Sequence, residues 1–453
     1  MERQNVELAS RIRELLASGD YGQITEILSD LHPADFVEVL EELELTDRGR
    51  ILTLFDDEFI ASIFEKMDHD QVAPILRLLG RDRTAPILES MATDDLADLL
   101  GELPKAEASR LLGMMESEEA EDVQELLEYD EETAGGIMTT EYIALEQDLT
   151  ASAATDQLRQ LAQEAETAYY IYVVDPSGRL TGVVSLRELI TAPADARLRD
   201  IMEANVVSVP PDTDQEDVAR LVARYDLLAI PVVDGANQLL GIVTVDDVID
   251  VIEEEATEDI YRMAGTGADE SEELMAGTWL KIRRRLPWLA VLLVSNFLSA
   301  NVIQGFTLTL ERIVALAYFI PVLIDMGGNV GTQSFAVVIR GLSTGELDTR
   351  RLFRIVLREA EVGVVMGVIF GSAMALIASF WQGSPMLGLV VGLAMALTLI
   401  TASVIGTFVP LFFDRVGVDI AVASGPFITT VVDVTGLVIY FWLATMFMQY
   451  LGV

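Results

Sequence analysis

The chain has 453 residues, no cysteine and two histidines, and its formal net charge is −43. Its length predicts several domains, and the lack of cysteine excludes disulfides, thiolate zinc sites and iron–sulfur clusters. Residues 1–280 hold 64 of the 73 acidic residues against 19 basic ones, whereas residues 281–453 hold 9 acidic and 11 basic ones. Acidity confined to the first part argues against nucleic acid or anionic lipid as its partner and favours cations.

An apolar pair recurs every 12 residues between about residues 36 and 127. The pairs are Val39-Leu40, Ile51-Leu52, Ile63-Phe64, Ile75-Leu76, Ile87-Leu88, Leu99-Leu100 and Leu111-Leu112, and an eighth unit opens at Val123. Another apolar residue follows four positions after the first member of each pair, as at Leu43, which is typical of one face of a short helix. We therefore predict an N-terminal α-solenoid of eight short helices within an acidic helical-repeat domain, residues 1–130.

Residues 137–260 contain a second duplication, in which the two copies are offset by 59 residues. Apolar, β-branched runs flank tight turns at Pro176-Ser177-Gly178 in the first copy and at Asp234-Gly235 in the second. Each copy therefore predicts the order strand, helix, strand, turn, strand, helix. This pattern resembles a tandem α/β pair of CBS domains, which we assign to residues 131–200 and 201–245.

The CBS resemblance implies a possible adenine-nucleotide site, because a Thr/Ser-x-x-Asp at the last strand–helix turn often holds a ribose in that family. The second copy has Thr244 and Asp247 at these positions, and the first has Ser185 and Glu188, with Glu in place of Asp. Tyr170 and Arg187 of the first copy are the remaining residues predicted for this nucleotide site. A nucleotide such as ATP is one interpretation, and a metal role for Asp247 is the other.

An acid-rich helix is predicted next, since apolar residues follow helical spacing from Val245 to Ile260. Eight acidic residues surround that apolar face. A run of this kind is usually a solvated face, but this one leads directly towards the membrane-spanning part. We therefore interpret residues 246–280 as a connecting helix and linker whose movement would reach the membrane domain.

Five apolar runs follow, each long enough to cross a bilayer as a helix, so we predict a five-helix transmembrane domain over residues 281–453. The runs are about Leu286–Leu308, Ile313–Val338, Val362–Trp381, Met386–Phe413 and Ile420–Tyr450. Basic residues cluster before the first run and between the second and third. By the positive-inside rule, the N-terminal half is cytoplasmic and the C-terminus lies outside the cell membrane.

The last apolar stretch, Ile420–Val453, carries a single charge, Asp433. A carboxylate at the centre of a spanning helix costs at least ~2.5–3.5 kcal/mol on insertion scales. No lysine or arginine lies inside any other apolar run, so an ion-pair partner is hard to find. We therefore expect Asp433 to face a polar pathway and to meet a cation.

The second span is unusually polar, because Pro321–Ser334 contains a proline, three glycines and several polar residues. Such a segment at membrane depth must pack on protein or line a wet cavity. Asp325 and Asn329 would supply oxygens there, as would Thr332 and Gln333. In spans three and four, glycine and alanine recur at four-residue intervals, which permits close helix packing.

Taken together, these parts resemble the MgtE magnesium channels and transporters over essentially the whole chain. The resemblance rests on the acidic repeat, AGGIMT at 134–139, TVDDVIDVIEEEATEDI at 244–260, GGNVGTQS at 327–334 and DVTGLVIYF at 433–441. It implies a homodimer in the lipid bilayer with its pore on the two-fold axis, and Asp433 with the Thr429 carbonyl as the pore cation site. It also implies cytoplasmic magnesium sites between the helical domain, the CBS pair and a connecting "plug" helix. The implied metal ligands are Asp94, Asp95, the Gly136 carbonyl, Glu216, Asp226, Asp247, Asp250, Glu255, Glu258 and Asp259.

The predicted function is thus a Mg²⁺ channel that is closed by intracellular Mg²⁺. An ion-coupled divalent-cation carrier is the first alternative, with Asp433 and Asp325 alternately protonated. A membrane enzyme is disfavoured because residues 281–453 contain neither histidine nor cysteine. A non-conducting sensor is disfavoured by the polar second span. Selectivity between Mg²⁺ and other divalent cations is not set by these patterns.

Overall fold

The computed structural model describes residues 2–115, 117–162, 165–264, 278–343, 347, 352–416 and 425–450. These residues divide into two compact units, 1–252 and 253–453. The first unit is built from short helices followed by small sheets, and the second consists of long helices.

Ten short helices open the first unit, and the last eight of them correspond to the predicted 12-residue units. Their bounds are α1 Glu2–Ser18, α2 Tyr21–Leu28, α3 Pro33–Glu41, α4 Leu45–Leu52, α5 Asp57–Phe64, α6 His69–Leu79, α7 Arg81–Leu88, α8 Thr93–Gly101, α9 Lys105–Leu112 and α10 Ser117–Leu126. The apolar pairs are buried, as at Ile51 and Leu52. Acidic residues sit at several helix starts; Asp56, for example, accepts a hydrogen bond from the Phe59 N–H. The solenoid prediction is confirmed, and α1 and α2 extend it.

The duplicated segment forms two similar sheets. Its elements are β1 Ala144–Glu146, α11 Ala151–Leu161, β2 Tyr170–Val174, β3 Leu180–Ser185, α12 Leu186–Thr191, α13 Leu198–Ile201, α14 Gln215–Tyr225, β4 Ala229–Val233, β5 Leu239–Thr244 and α15 Val245–Ala264. Strand β1 pairs parallel to β2, and β2 pairs antiparallel to β3. Strand β4 pairs antiparallel to β5, and a bridge from Val209 to Val232 takes the place of β1. Strands β4 and β5 repeat β2 and β3 at the predicted offset of 59 residues.

Within its described ranges, the second unit contains five helices that are long and apolar enough to span a membrane, as predicted. Its elements are α16 Thr278–Gly305, α17 Thr307–Arg312, a 3-10 turn Val314–Phe319, α18 Ile320–Ser343, α19 Leu352–Gln382, α20 Pro385–Val416, α21 Gly425–Met446 and a 3-10 turn Met448–Tyr450. The core lies between α18, α20 and α21, around Phe319, Val391 and Tyr440.

The glycine stripes let α19 and α20 touch through their backbones. A Cβ added to Gly367 would lie 2.8 Å from the Ala396 carbonyl oxygen, and one on Gly371 would lie 2.7 Å from that of Gly392. Side chains larger than hydrogen would force these helices apart, so the small-residue pattern sets their spacing, as expected.

Candidate cation sites

The acidic site in the first unit begins at the first turn of α8. Asp94 is 5% exposed, and its Oδ1 atom has no hydrogen-bond partner among the described residues. An acid at this position usually favours the helix start from the solvent side. Here the side chain is buried, and a buried carboxylate oxygen without a partner is costly. Asp94 is therefore placed for something other than capping.

Hydroxyl contacts fix α8 against the segment that leads into the first CBS copy. Thr93 Oγ1 lies 3.2 Å from Thr139 Oγ1 and 3.1 Å from Thr140 Oγ1. The Thr140 N–H donates to Thr93 Oγ1 at 3.1 Å. Because Thr93 precedes Asp94 directly, these bonds orient the start of α8 and hold Asp94 at the boundary between the helical repeats and the CBS pair.

Three carboxylates meet at this boundary. One ligand atom from each of Asp94, Glu166 and Asp247 lies within 4.8 Å of the other two. Asp94 comes from the helical repeats, Glu166 from the segment before β2, and Asp247 from the first turn of α15. Thr244 donates its hydroxyl to Asp247, which fixes that side chain. We call Asp94, Glu166 and Asp247 the boundary cluster; its oxygen ligands are of the kind that Mg²⁺ prefers.

Burial and mutual repulsion of the three carboxylates favour neutralisation of the boundary cluster by protons or by a cation. Burial, reinforced by Asp247 and Glu166, raises the pKa of Asp94 well above its usual range. Glu166 is exposed as a residue, but desolvation of its carboxylate and the neighbouring Asp247 and Asp246 raise its pKa to about 7. Burial likewise raises the pKa of Asp247 to about 6, against the hydrogen bond from Thr244. Either protons or a cation must neutralise such a group.

Further acidic residues surround the boundary cluster. Burial and the neighbouring Glu65 raise the pKa of Asp95 to about 8. Asp98, one helical turn after Asp94, has its pKa raised to about 6 by burial, against the effect of His69. Burial would lower the pKa of Lys66, yet Asp95 and nearby acids on α15 raise it on balance. One lysine therefore faces a large excess of carboxylates here.

The other implied cytoplasmic ligands are not members of the boundary cluster. Glu216 forms an ion pair with Arg220 at 2.6 Å. Asp226 is exposed and ends α14 in the left-handed region, at φ 53°. Gly136 is buried, and a Cβ there would collide with the Asp130 carbonyl oxygen. Asp250 follows Asp247 by about one turn of α15, and Glu255, Glu258 and Asp259 lie further along that helix.

The residues considered for a nucleotide are already engaged in local structure. Ser185 and Glu188 form a reciprocal capping box at the start of α12. In the second copy, the backbone N–H and the hydroxyl of Thr244 both donate to the Asp247 carboxylate. Tyr170 pairs with Ser185 across the sheet, and Arg187 is exposed. The turn geometry expected of the motif is thus present in both copies.

In the second unit, three glycines of α18 let α21 approach closely. A Cβ on Gly328 would lie 2.9 Å from Thr429 Cγ2 and 3.9 Å from Asp433 Oδ1. Gly327 and Gly331 face Val432 in the same way, each with its Cβ position 3.1 Å from that side chain. The Asp433 Oδ1 atom is buried and has no hydrogen-bond partner in the part of the chain that the structure describes. The close helix contact therefore holds an unpaired carboxylate oxygen against α18.

A polar cavity lies beside Gly328. It has a volume of about 250 Å³, which is room for several waters. Its lining consists of Pro321, Ile324, Asp325, Gly328, Asn329, Thr332 and Thr429. Thr332 Oγ1 lies 3.4 Å from Thr429 Oγ1, which joins α18 to α21 at the cavity wall. The structure thus brings together the predicted residues Asp325, Asn329 and Thr429 at one cavity, and Asp433 lies near Gly328 of its lining.

The second unit has five candidate spans among its described residues and an unpaired carboxylate beside a polar cavity, and the first unit has clustered acids. These features define a membrane protein that interacts with cations. Family models agree with this class in three segments. The MgtE intracellular N domain matches residues 31–132, the CBS domain matches 134–195 and 198–254, and MgtE, a divalent cation transporter, matches 320–443.

Curated relatives place the chain within one family. It is 43% identical over 329 residues to "Magnesium transporter MgtE" of Thermus thermophilus, and 42% identical over 326 residues to the Bacillus subtilis protein of that name; each comparison covers 72% of both chains. The chain therefore belongs to the MgtE family of divalent cation transporters. The predictions of the family, of a multi-domain fold with a CBS pair, and of a transporter rather than an enzyme are confirmed.

Two crystal structures resemble the soluble part. One is described as the cytosolic domain of the Mg²⁺ channel MgtE in complex with ATP; it is 42% identical, with a TM-score of 0.52, and covers 54% of this chain and 99% of that one. The other, described as the soluble part of a magnesium transporter, is 37% identical with a TM-score of 0.52, and covers 56% and 100%.

Proposed function

We propose that this chain is a Mg²⁺-selective channel that takes up magnesium across the cytoplasmic membrane and closes when intracellular Mg²⁺ is high. The observation that carries the proposal is the buried, unpaired Oδ1 of Asp433 beside the polar cavity of α18. The names of the curated relatives support Mg²⁺ as the transported ion.

The proposed pathway uses outer-sphere chemistry. Magnesium gives up its waters reluctantly, so a pathway for it needs polar width and negative charge. Asp433 and the Thr429 carbonyl form the central site, and Asn329 and Asp325 line the approach. In the proposed homodimer, two copies of Asp433 around the two-fold axis double the negative charge that the hydrated ion meets.

Closure is proposed to depend on the soluble carboxylates. At low Mg²⁺ the acids of the boundary cluster repel one another, and neutralisation by a divalent cation favours the compact arrangement. Asp94, Asp95 and Asp247 would hold the ion at the boundary, with Glu166 added by the structure. Gly136, Glu216, Asp226, Asp250, Glu255, Glu258 and Asp259 remain proposed ligands of further regulatory ions. This is a population shift by differential binding, transmitted through α15.

The proposed orientation places the N-terminal half in the cytoplasm and the C-terminus outside. Its support is the cluster of arginines from Arg340 to Arg358, which falls at the end of α18 and the start of α19. An adenine nucleotide is proposed as a ligand of the CBS pair at Thr244, Asp247, Tyr170, Arg187 and Glu188. A related cytosolic domain that was crystallised with ATP supports the nucleotide as a ligand.

Recording from the purified full-length protein in planar bilayers tests the channel proposal. We expect single-channel Mg²⁺ currents from the wild type and their loss in Asp433→Asn, with Asp148→Asn, an exposed acid of the soluble unit, as the matched control. Conductance that never exceeds carrier turnover would overturn the channel and favour the ion-coupled carrier. Full flux in Asp433→Asn would overturn the pore assignment.

Gating is tested separately in the same recordings. Neutralising Asp247, Asp250, Glu255 and Glu258 together should leave the channel open at high internal Mg²⁺. Normal closure of this variant would contradict the proposed sensor while leaving the pore proposal intact.

A further inference from the structure

One side of α18 carries a row of polar side chains. Asp325, Asn329 and Gln333 are all exposed and follow one another at intervals of four residues, so they lie along one side of the helix. All three belong to the candidate span Val314–Leu342. Polar and charged side chains are costly against lipid, and at membrane depth they face protein or a water-filled cavity. This side of α18 therefore faces away from lipid.

The polar cavity beside Gly328 lies along this row. Asp325 and Asn329 line it, together with Thr332 and Thr429. Its volume of about 250 Å³ exceeds the roughly 180 Å³ that six waters occupy in the liquid, at about 30 Å³ each. A Mg²⁺ ion with all six of its waters therefore fits the cavity, which suits an ion that dehydrates reluctantly.

The charge of the cavity comes from Asp325. Among the described lining residues, it supplies the one carboxylate, and it has no ion-pair partner within 4.0 Å in the described part of the chain. Asn329, Thr332 and Thr429 add an amide and two hydroxyls, which can accept hydrogen bonds from the waters of an ion. A full negative charge beside neutral acceptors is suited to a hydrated divalent cation that is held through its waters.

The cavity is separate from the Asp433 carboxylate. Asp433 is not part of the described lining, and its Oδ1 atom lies 3.9 Å from the Cβ position of Gly328. Asp325 precedes Gly328 by three residues, which is about 4.5 Å along the helix axis. Because side chains on a helix lean towards its N-terminus, the Asp325 carboxylate is displaced further, towards the lining residue Pro321. An ion in the cavity is therefore held by Asp325 rather than by Asp433.

We propose that Asp325, with Asn329, Thr332 and Thr429, forms an entry site for a hydrated divalent cation, which the ion occupies before it reaches Asp433. The entry site rests on the proposed function, because it supplies the ion that Asp433 conducts. In the proposed orientation, α18 runs from the outer surface towards the cytoplasm, so Asp325 lies on the outer side of Asp433. A carboxylate there raises the local concentration of divalent cations at the mouth of the pathway.

Anomalous diffraction from crystals of the full-length protein soaked in Mn²⁺ tests the entry site directly. Mn²⁺ replaces Mg²⁺ as the probe because it prefers the same oxygen ligands. We expect separate Mn²⁺ peaks beside Asp325 and Asp433. Asp325→Asn should lose only the first peak, and Asp433→Asn should lose only the second. Glu311→Gln, which neutralises an exposed acid on α17, is the matched control and should keep both.

Single-channel recording tests what the entry site contributes to conduction. Asp325→Asn should raise the external Mg²⁺ concentration for half-maximal current by about tenfold, because the carboxylate that concentrates the ion is lost. Glu311→Gln should not change this concentration, since it alters surface charge and not the cavity. The shift in Asp325→Asn should be smaller when Mg²⁺ is titrated from the cytoplasmic side, because ions from that side meet Asp433 first.

Several outcomes would overturn the entry site. The absence of a Mn²⁺ peak from the cavity would do so, as would a peak or an unchanged half-maximal concentration in Asp325→Asn. Loss of both peaks in Asp433→Asn would show that the two carboxylates share one ion. Should Asp325→Asn fail to fold, Asn329→Ala decides the question, because it keeps the carboxylate and should weaken the peak. A peak beside Asp325 without single-channel current would refute the proposed channel and leave the entry site standing.

Discussion

Replacing Asp94 with asparagine should stabilise the Mg²⁺-free protein and weaken its response to Mg²⁺. Asp94 is 5% exposed, and its ligand atom lies within 4.8 Å of those of Glu166 and Asp247. Two unit charges 4.8 Å apart repel by roughly 3–4 kcal/mol at an effective dielectric constant of about 20. Glu166 is exposed to solvent, and the raised pKa of each acid keeps it partly protonated, so the effect is smaller than this. We expect Asp94→Asn to raise the free energy of unfolding by about 1–2 kcal/mol at pH 7.

The asparagine side chain is compatible with the site. Its amide can donate to the Glu166 and Asp247 carboxylates, so the substitution exchanges repulsion for hydrogen bonds. The assay is urea unfolding of the full-length protein in detergent, in EDTA and at saturating Mg²⁺, with fluorescence and protease protection as probes. Glu146→Gln removes a charge from an exposed position on β1 and serves as the control.

Two results would refute this reasoning. If Asp94→Asn lowers the free energy of unfolding in EDTA, repulsion among the three carboxylates is not the dominant effect at the boundary cluster. If the variant gains as much stability from Mg²⁺ as the wild type and Glu146→Gln do, Asp94 does not contribute to the bound ion.

Three further outcomes are expected. Burial raises the pKa of Asp95 to about 8, of Glu141 to about 7 and of Asp98 to about 6, above the ~4 of unfolded chains. The folded state therefore binds more protons between about pH 4 and 8, so stability in EDTA should fall as pH rises through that window; a rise would contradict the argument. Over the same window, apparent Mg²⁺ affinity, measured by protease protection, should increase, and a pH-independent affinity would show that these acids do not bind the ion. Gly328→Ala should reduce Mg²⁺ flux and lower the free energy of unfolding by about 1–3 kcal/mol, because its Cβ would meet Thr429 Cγ2 at 2.9 Å. Gly305→Ala, which has open space around it, should leave uptake and Tm unchanged.

Sequence reasoning succeeded where the pattern is local. The 12-residue spacing predicted α3 to α10, and the 59-residue offset predicted both β-hairpins. These predictions are local, because helix faces and strand alternation depend on neighbours in the chain. The same holds for the five apolar runs, although α19 begins at Leu352, ten residues before the predicted start of the third run at Val362.

The boundary cluster could be predicted only in part. The family resemblance predicted Asp94 and Asp247 as metal ligands. Glu166 has no motif around it, and tertiary packing alone brings its carboxylate to the boundary cluster. The proximity of Asp98 to the boundary cluster was predictable from the sequence, because Asp98 follows Asp94 by four residues and therefore lies on the same helix face. The orphaned Oδ1 atoms of Asp94 and Asp433 are visible only in three dimensions.

The two CBS copies show why one motif could be read as a nucleotide site or as a metal site. Ser185 with Glu188 and Thr244 with Asp247 occupy equivalent positions at the offset of 59, and both pairs organise a helix start. Glu188 is exposed, so its hydrogen bonds to Ser185 lower its pKa and its charge stays solvated. Asp247 makes the same kind of bond, but it is packed beside Asp94 and Glu166, and burial raises its pKa instead. The duplicated sequence therefore determines the turn, whereas the position of Asp247 beside Asp94 and Glu166 determines which of the two carboxylates favours a cation.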